Sequence, residues 1–476
     1  MFEMLRLRWR EDGGFAEVLK LSIPLVLSSA SATLMQFVDR MFLTWDSPSA
    51  LAAAFPAGVL NFTIISIFLF TASYLNTFVS QFSGAKRPLE IGSALWQAIY
   101  FSILSGAVLL IEIPFATTIF NHIGHEASVR KDEISYFSIL ALGNGAVVLN
   151  GAFSGFLSGL GKTMHIMWVN VVINIIHVVL DYVLIFGNFG CPAMGISGAA
   201  WSSVICTVIG SFVFAFIIFT KSNERMYKVR SFYKFNFSFL KRLLYFGFPS
   251  GLQVFIDVAA FSIFLFLLGR LGQTELAASN LAFSINSLAF QPMFGVGAAI
   301  SVLVGRYQGA KKPELATRSV YSGFFLAFTF MTTISILYFF TPNIFIAPFA
   351  AKVKSADFTK VVEMAVVLLK FVAFFSLFDA VSVIFSAALR GAGDTRFVMV
   401  MVLCSALFGL IVPAYIVLVV FKHGAFGAWL VLTAYIFLLA LAFFTRFLSG
   451  RWKTMRVIED HPTPQFTQPV VESPLE

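Results

Sequence analysis

Four carboxylates stand inside long apolar stretches of this chain: Asp39 in Met35-Gln-Phe-Val-Asp39, Asp181 in Val179-Leu-Asp-Tyr182, Asp257 in Phe255-Ile-Asp-Val258 and Asp379 in Leu377-Phe-Asp-Ala380. An ionised carboxylate in hydrocarbon is costly, so it persists only against a cavity, a partner or a bound cation. The chemistry to expect of these four is ion or proton binding. For any one of them the plainer reading is a hydrogen bond between helices. Asn170, Asn174, His177 and Asp181 follow one another at i, i+4, i+7 and i+11, which puts all four on one helical face. That stripe either lines a cavity, with Asp181 and His177 holding a cation or proton, or joins one helix to its neighbours. His177 has an ordinary pKa of about 6.5, which suits a proton relay.

The elements that position these residues follow from composition. Of 476 residues, 58% are apolar and only 12% charged, with a mean hydropathy of +0.86 and 58 Phe. An ordinary soluble domain carries about twice that charge, so a soluble multidomain enzyme is excluded. Apolar runs centre near residues 30, 65, 102, 145, 175, 208, 256, 290, 328, 375, 408 and 437. This predicts twelve membrane-spanning helices. Pro24 and Pro249 are placed in the first turns of spans one and seven, as hinges or as static kinks.

The net charge of +9 lies between apolar segments rather than on one face, which argues against nucleic acid. With both termini cytoplasmic, cytoplasmic segments hold 24 of the 33 Lys and Arg, external loops hold 8, and Lys370 falls inside span ten. That asymmetry is the positive-inside pattern. The first apolar run is too long for a cleavable signal, no lipidation motif is present, and three Cys (Cys191, Cys206, Cys404) make neither a disulfide framework nor a metal set.

The halves repeat. Pro24 matches Pro249, Leu51-Ala-Ala matches Leu276-Ala-Ala, and Gly84-Ala-Lys-Arg-Pro88 matches Gly309-Ala-Lys-Lys-Pro313, all at an offset of 225. Phe153-Ser154 with Gly159, Gly161 and Thr163 matches Phe385-Ser386 with Gly391, Gly393 and Thr395 at an offset of 232. Six spans bring the second half in with the same orientation as the first, so the pseudo-two-fold axis runs along the membrane normal. The fold expected is all-α and polytopic. It comprises a six-helix bundle over 1–220, a basic linker over 221–242, a second six-helix bundle over 243–450, and a disordered cytoplasmic tail over 451–476.

Three motifs are set aside. Gly159-Leu-Gly-Lys-Thr163 lacks the first glycine of a phosphate loop. His122-Ile-Gly-His125-Glu126 has neither zinc-hydrolase order. The sequon at Asn236 falls in the cytoplasmic linker. Most of the aromatic load packs helices or meets lipid, and a minority in a central cleft would suit flat lipophilic cations.

Taken together, Ile23-Pro24 with Phe37-Val-Asp39, the Gly-Ala-Lys-x-Pro turns, Gly247-Phe-Pro249 with Asp257, and Asp379-Ala-Val with Leu389-Arg-Gly-Ala-Gly-Asp-Thr395 resemble the multidrug and toxic compound extrusion (MATE) family, in particular its NorM-like branch. The resemblance spans about residues 15 to 450. It implies two bundles around a V-shaped cleft and a transporter, not an enzyme. Such a protein exports organic cations and amphipathic drugs against Na⁺ or H⁺ from a bacterial inner membrane. It further implies that Asp39, Asp257 and Asp379 are the first-, seventh- and tenth-helix acids of the family. Asp181 corresponds to a fifth-helix acid of another branch, with His177 where that branch has Asn. Na⁺ would then sit at Asp257 with Asp379, or at Asp39 with Asp181, and Asn174 would extend the second site. The partners expected are small amphipathic or cationic molecules and membrane lipid, no nucleic acid, and the protein is expected to be a monomer without a resident cofactor. The alternatives are a flippase for a lipid-linked substrate and a channel or scaffold without ion-coupled transport.

Overall fold

The computed structural model describes residues 9, 11–123, 125–350 and 356–459. Twelve helices are long and apolar enough to cross a membrane: α1 Phe15–Asp46, α2 Pro48–Gly84, α3 Pro88–Leu109, α4 Ala127–Gly159, α5 Thr163–Phe186, α6 Ile196–Ile218, α7 Phe237–Gly269, α8 Gln273–Gly309, α9 Pro313–Phe340, α10 Thr359–Ala392, α11 Thr395–Val420 and α12 Gly424–Leu448. Their centres fall within a few residues of the hydropathy maxima. No strand occurs among the described residues. The chain is a multi-pass all-α membrane protein of two six-helix bundles.

The two bundles repeat one packing scheme. In the first, α2 packs on α4, α4 on α6 and α1 on α5; in the second, α8 packs on α10, α10 on α12 and α7 on α11. Between bundles, α1 meets α8 and α2 meets α7, which are the two halves of one symmetric pair of contacts. The polar stripe does not take part in the repeat. At the offset of 232, Asn170, Asn174, His177 and Asp181 correspond to Val402, Ala406, Gly409 and Pro413, in a span that carries π-helical turns at Ser405–Ile411 and Ile416–Val420.

Each bundle lends the start of its first helix to the other. Val18 and Leu21 of α1 belong to the core of the second bundle, while Phe239, Leu240 and Leu243 of α7 belong to a core cluster of the first. Pro24 and Pro249 therefore lie where each helix passes from the opposite bundle into its own. This corrects their placement in the first turn: both are helix-interior, about two and a half and three turns in, because apolar segments the opposite bundle covers precede them. The basic linker also ends earlier than its charges imply. α7 begins at Phe237, with the Asn236 side chain accepting from the Phe239 amide as its N-cap, and Lys221–Tyr227 is a short helix.

The expected free tail is also corrected over residues 451–459. Trp452 is fully buried, and its carbonyl accepts from Gln308 Nε2 at 2.7 Å. The Val457 amide donates to Gln81 Oε1 at 2.8 Å, and Glu459 pairs with Arg242 at 2.6 Å. The rest of that tail lies outside the described residues.

The bundles are joined tightly at the end carrying the basic turns. A Cβ on Gly84 would lie 1.8 Å from the Arg306 carbonyl oxygen, and one on Gly309 would lie 2.0 Å from that of Gln81. Both pairs are related by the same step of 225 (309 − 84 and 306 − 81), so the pseudo-two-fold axis passes between them. Hydrogen bonds follow the same seam: Tyr74 to the Arg390 carbonyl at 2.8 Å, Gln81 to the Gly391 carbonyl at 3.1 Å, and Tyr307 to Glu17 at 2.5 Å. Gly309→Ala should therefore lower stability by about 1–3 kcal/mol through overpacking. Gly58→Ala, whose Cβ meets only the Tyr136 ring at 4.0 Å, should leave it equal or higher. Thermal unfolding of the two variants in detergent checks the contrast.

Candidate functional site

In the first bundle, α1 supplies Asp39, α4 Tyr136, α5 His177 and Asp181, and α6 Ser202 and Ser203. Asp181 is fully buried. Its Oδ1 accepts a hydrogen bond from the Ser202 hydroxyl. Its Oδ2 stands 3.2 Å from His177 Nδ1, too poorly aligned to bond, so that both atoms lack a hydrogen-bond partner. The other nitrogen of the ring, Nε2, lies 3.0 Å from Ser203 Oγ. Asp39 interacts electrostatically with Asp181, His177 and Arg40, and its Oδ1 is likewise buried without a partner. Tyr136 lies in the field of both acids.

The stripe on α5 divides. Asn170 and Asn174 turn to α1, donating to Ser28 Oγ at 2.6 Å and Ser31 Oγ at 2.9 Å. His177 and Asp181 turn to α6. Asn174 is thus held by Ser31 rather than beside the acids, and its bond joins two helices.

The second bundle gathers Asp257 on α7, Asp379 on α10 and Tyr435 on α12, with the Tyr435 hydroxyl facing both acids. One turn before Asp257, Gln253 donates from Nε2 to Asp257 Oδ2 at 3.4 Å and accepts at Oε1 from Arg390 Nη1 at 3.2 Å. The acids therefore group by bundle: Asp39 and Asp181 interact directly in the first, and Asp257 and Asp379 are related through Tyr435 in the second. Among the described residues no three His, Cys, Asp or Glu side chains converge as a metal-binding set. The first site offers a pair of interacting carboxylates with the Ser202 hydroxyl on Asp181, and the second offers two carboxylates related through Tyr435. Orphaned acceptors such as Asp39 Oδ1 and Asp181 Oδ2 are what a proton or a small cation satisfies.

Reasoning from sequence missed Tyr136, Ser202, Gln253, Arg390 and Tyr435. Gln253 was accessible to helix-face arithmetic, four residues before Asp257. Arg390 reads as part of the basic turn and is instead in the last turn of α10.

The family model described as MatE matches residues 24–183 and 249–416. The chain belongs to the MatE family. Both matched segments begin at the helix-interior prolines and contain all four acids. Among curated relatives, a "Probable multidrug resistance protein NorM" of Thermotoga maritima is 26% identical over 446 residues, covering 93% of this chain and 94% of the relative. One of the same description from Bacillus anthracis is 29% identical over 457 residues, covering 93% and 96%. Among solved structures, an "Outward-facing conformation of a multidrug resistance MATE family transporter of the MOP superfamily" superposes with a TM-score of 0.82 at 20% identity, covering 94% of this chain and 97% of that one. A MOP superfamily transporter from Pyrococcus furiosus gives 0.84 at 20%, covering 94% and 98%.

This MatE chain also holds an acid with a buried carboxylate between α3 and α4. Glu112 opens the short helix Glu112–Ile123, with both carboxylate oxygens buried beside Asn144. Burial pushes its carboxyl up to about 7 from the ordinary 4.5. The folded protein thus binds more protons at Glu112 than the unfolded chain between these values, so its contribution to stability is full below 4.5 and is lost as pH rises through about 7. Melting of the wild type and Glu112→Gln across that range should show a steeper decline with pH in the wild type, and equal slopes would contradict this.

Proposed function

We propose that this protein is a cation-coupled antiporter of a bacterial inner membrane, exporting organic cations and amphipathic drugs in exchange for inward Na⁺ or H⁺. The observation that carries the reading is the placing of two acids inside each bundle with protein oxygens beside them, in two bundles sealed against each other at the basic end. The printed names of the relatives, which describe multidrug resistance, support the substrate class. The excess of Lys and Arg at the sealed end supports placing that end, and both termini, in the cytoplasm.

The mechanism follows from electrostatics. A carboxylate inside a span needs a counter-charge, and a drug cation or a coupling ion supplies it. Two ligands competing for one charge antagonise each other by equal factors. With the basic end sealed, the acids communicate with the external side, where the high concentration of coupling ion displaces the drug. The ion-loaded protein then opens at the basic end and releases the ion inside. Aromatic faces in the cleft hold flat cations by stacking and cation–π attraction. The chain works as a monomer in lipid, and the protein forms and breaks no covalent bond.

Efflux of a fluorescent organic cation from proteoliposomes, driven separately by Na⁺ and by H⁺ gradients, tests this. Asp39→Asn, Asp257→Asn and Asp379→Asn remove charge at nearly constant volume, and at least one should lose gradient-driven efflux by about tenfold or more. If all three retained wild-type efflux under both gradients, ion exchange at these acids would be wrong.

A further inference from the structure

The geometry points to Gln253 and Arg390 as positioning residues that tie cation occupancy at Asp257 to the seal between the bundles. The inference rests on the antiport reading above and adds how one site reaches the gate. Arg390 is linked to two places at once. Its guanidinium donates to Gln253 Oε1 at 3.2 Å, and Gln253 Nε2 donates in turn to Asp257 Oδ2 at 3.4 Å. Its own carbonyl accepts from the Tyr74 hydroxyl of the opposite bundle at 2.8 Å, and the next carbonyl, of Gly391, accepts from Gln81 at 3.1 Å. The Arg390 carbonyl also accepts from the Gly393 amide at 3.1 Å, so the end of α10 divides its last carbonyls between its own turn and the other bundle.

The amide between the two charges has only one comfortable orientation. Gln253 is buried, and turning it over would set its NH₂ against the guanidinium and its oxygen against the carboxylate, both repulsive. That orientation depends on Asp257 being bare. A cation taken up at Asp257 repels the Nε2 donor and draws on the oxygen at the other end of the same amide. A proton there makes the carboxyl a donor that Nε2 cannot answer, so in both cases the amide is driven to turn Oε1 toward Asp257. Either way the acceptor is withdrawn from Arg390. Its guanidinium, half-buried and in the field of Asp257, then loses that acceptor together with the charge it faced and is drawn toward a new partner. The last turn of α10 shifts, and with it the two carbonyls that hold Tyr74 and Gln81. The seal loosens when the ion is aboard and holds when Asp257 is empty, which is the order an antiporter needs.

The test places a reporter cysteine at Ser80, buried in the seam against Gly305, in a background with Cys191, Cys206 and Cys404 replaced by Ser. Labelling by a maleimide is timed in nanodiscs, with Na⁺ or proton concentration raised in separate series. Saturating ion should speed labelling at least about fivefold. Gln253→Leu should abolish that response. Tyr74→Phe, which removes one hydroxyl and little else, should label fast without ion. Arg390→Lys, unable to serve Gln253 in the same geometry, should also blunt the response, and it guards against a misfolded Gln253 variant. A Gln253→Leu protein that melts like the parent and keeps the full ion response overturns the relay. If the parent shows no ion response while its efflux remains gradient-driven, the relay falls and antiport stands. If efflux is also independent of both gradients, the two fall together.

Discussion

An ionised carboxylate cannot be left in hydrocarbon, and much of this molecule is arranged around that fact. Four such groups sit in spans α1, α5, α7 and α10, and each is drawn inside a bundle where neighbouring helices present oxygens or a counter-charge. In the first bundle the two core clusters are separate, one toward each end of the helices, and Asn61–Asn144, Asn150–Ser211, Asn170–Ser28, Asn174–Ser31 and the Asp181–His177–Ser202 group are among the polar bonds within it. The second bundle has one continuous apolar core, with its acids on α7 and α10 beside Tyr435 of α12. The duplicated scaffold is shared; the polar equipment is not.

Duplication also explains how the two bundles stay in register. The first turns of α1 and α7 are exchanged, each packed in the opposite core, and Gly84 and Gly309 let backbones meet where any side chain would clash. The segment 451–459 then binds to both sides of the seam, through Gln81 in one bundle and Gln308 in the other. The exchange leaves Pro24 and Pro249 at the two crossing points. The acids Asp39 and Asp257 lie beyond them, on the part of each helix that belongs to its own bundle.

Much of this was legible in the sequence. Twelve spans, the parallel repeat and the four acids are recorded in periodicities of hydropathy and in residue types that membranes make rare. The errors arose where tertiary packing overrides local signal. Phe237 to Arg242 looked like linker because Lys241 and Arg242 are charged, yet Phe239 and Leu240 are covered by the first bundle. Trp452 to Ile458 looked like tail because it follows the last span, yet it fills a groove made by α2, α7 and α8. Tyr136, Ser202 and Tyr435 join the acids from other spans, and no spacing rule relates them. Arg390 was hidden by its role: a cation at the edge of a basic turn is ordinary, and only its reach to Gln253 makes it part of the site.

The central claim is that coupling ion and drug compete for the charge of these acids, and its most direct measurement is equilibrium affinity. Binding of a fluorescent organic cation to the purified protein is titrated at a series of Na⁺ concentrations at fixed pH, and at a series of pH values without Na⁺. The account predicts that drug affinity falls as one of these ions rises, and that the drug weakens binding of that ion by the same factor. An affinity that stays constant across both series would contradict it.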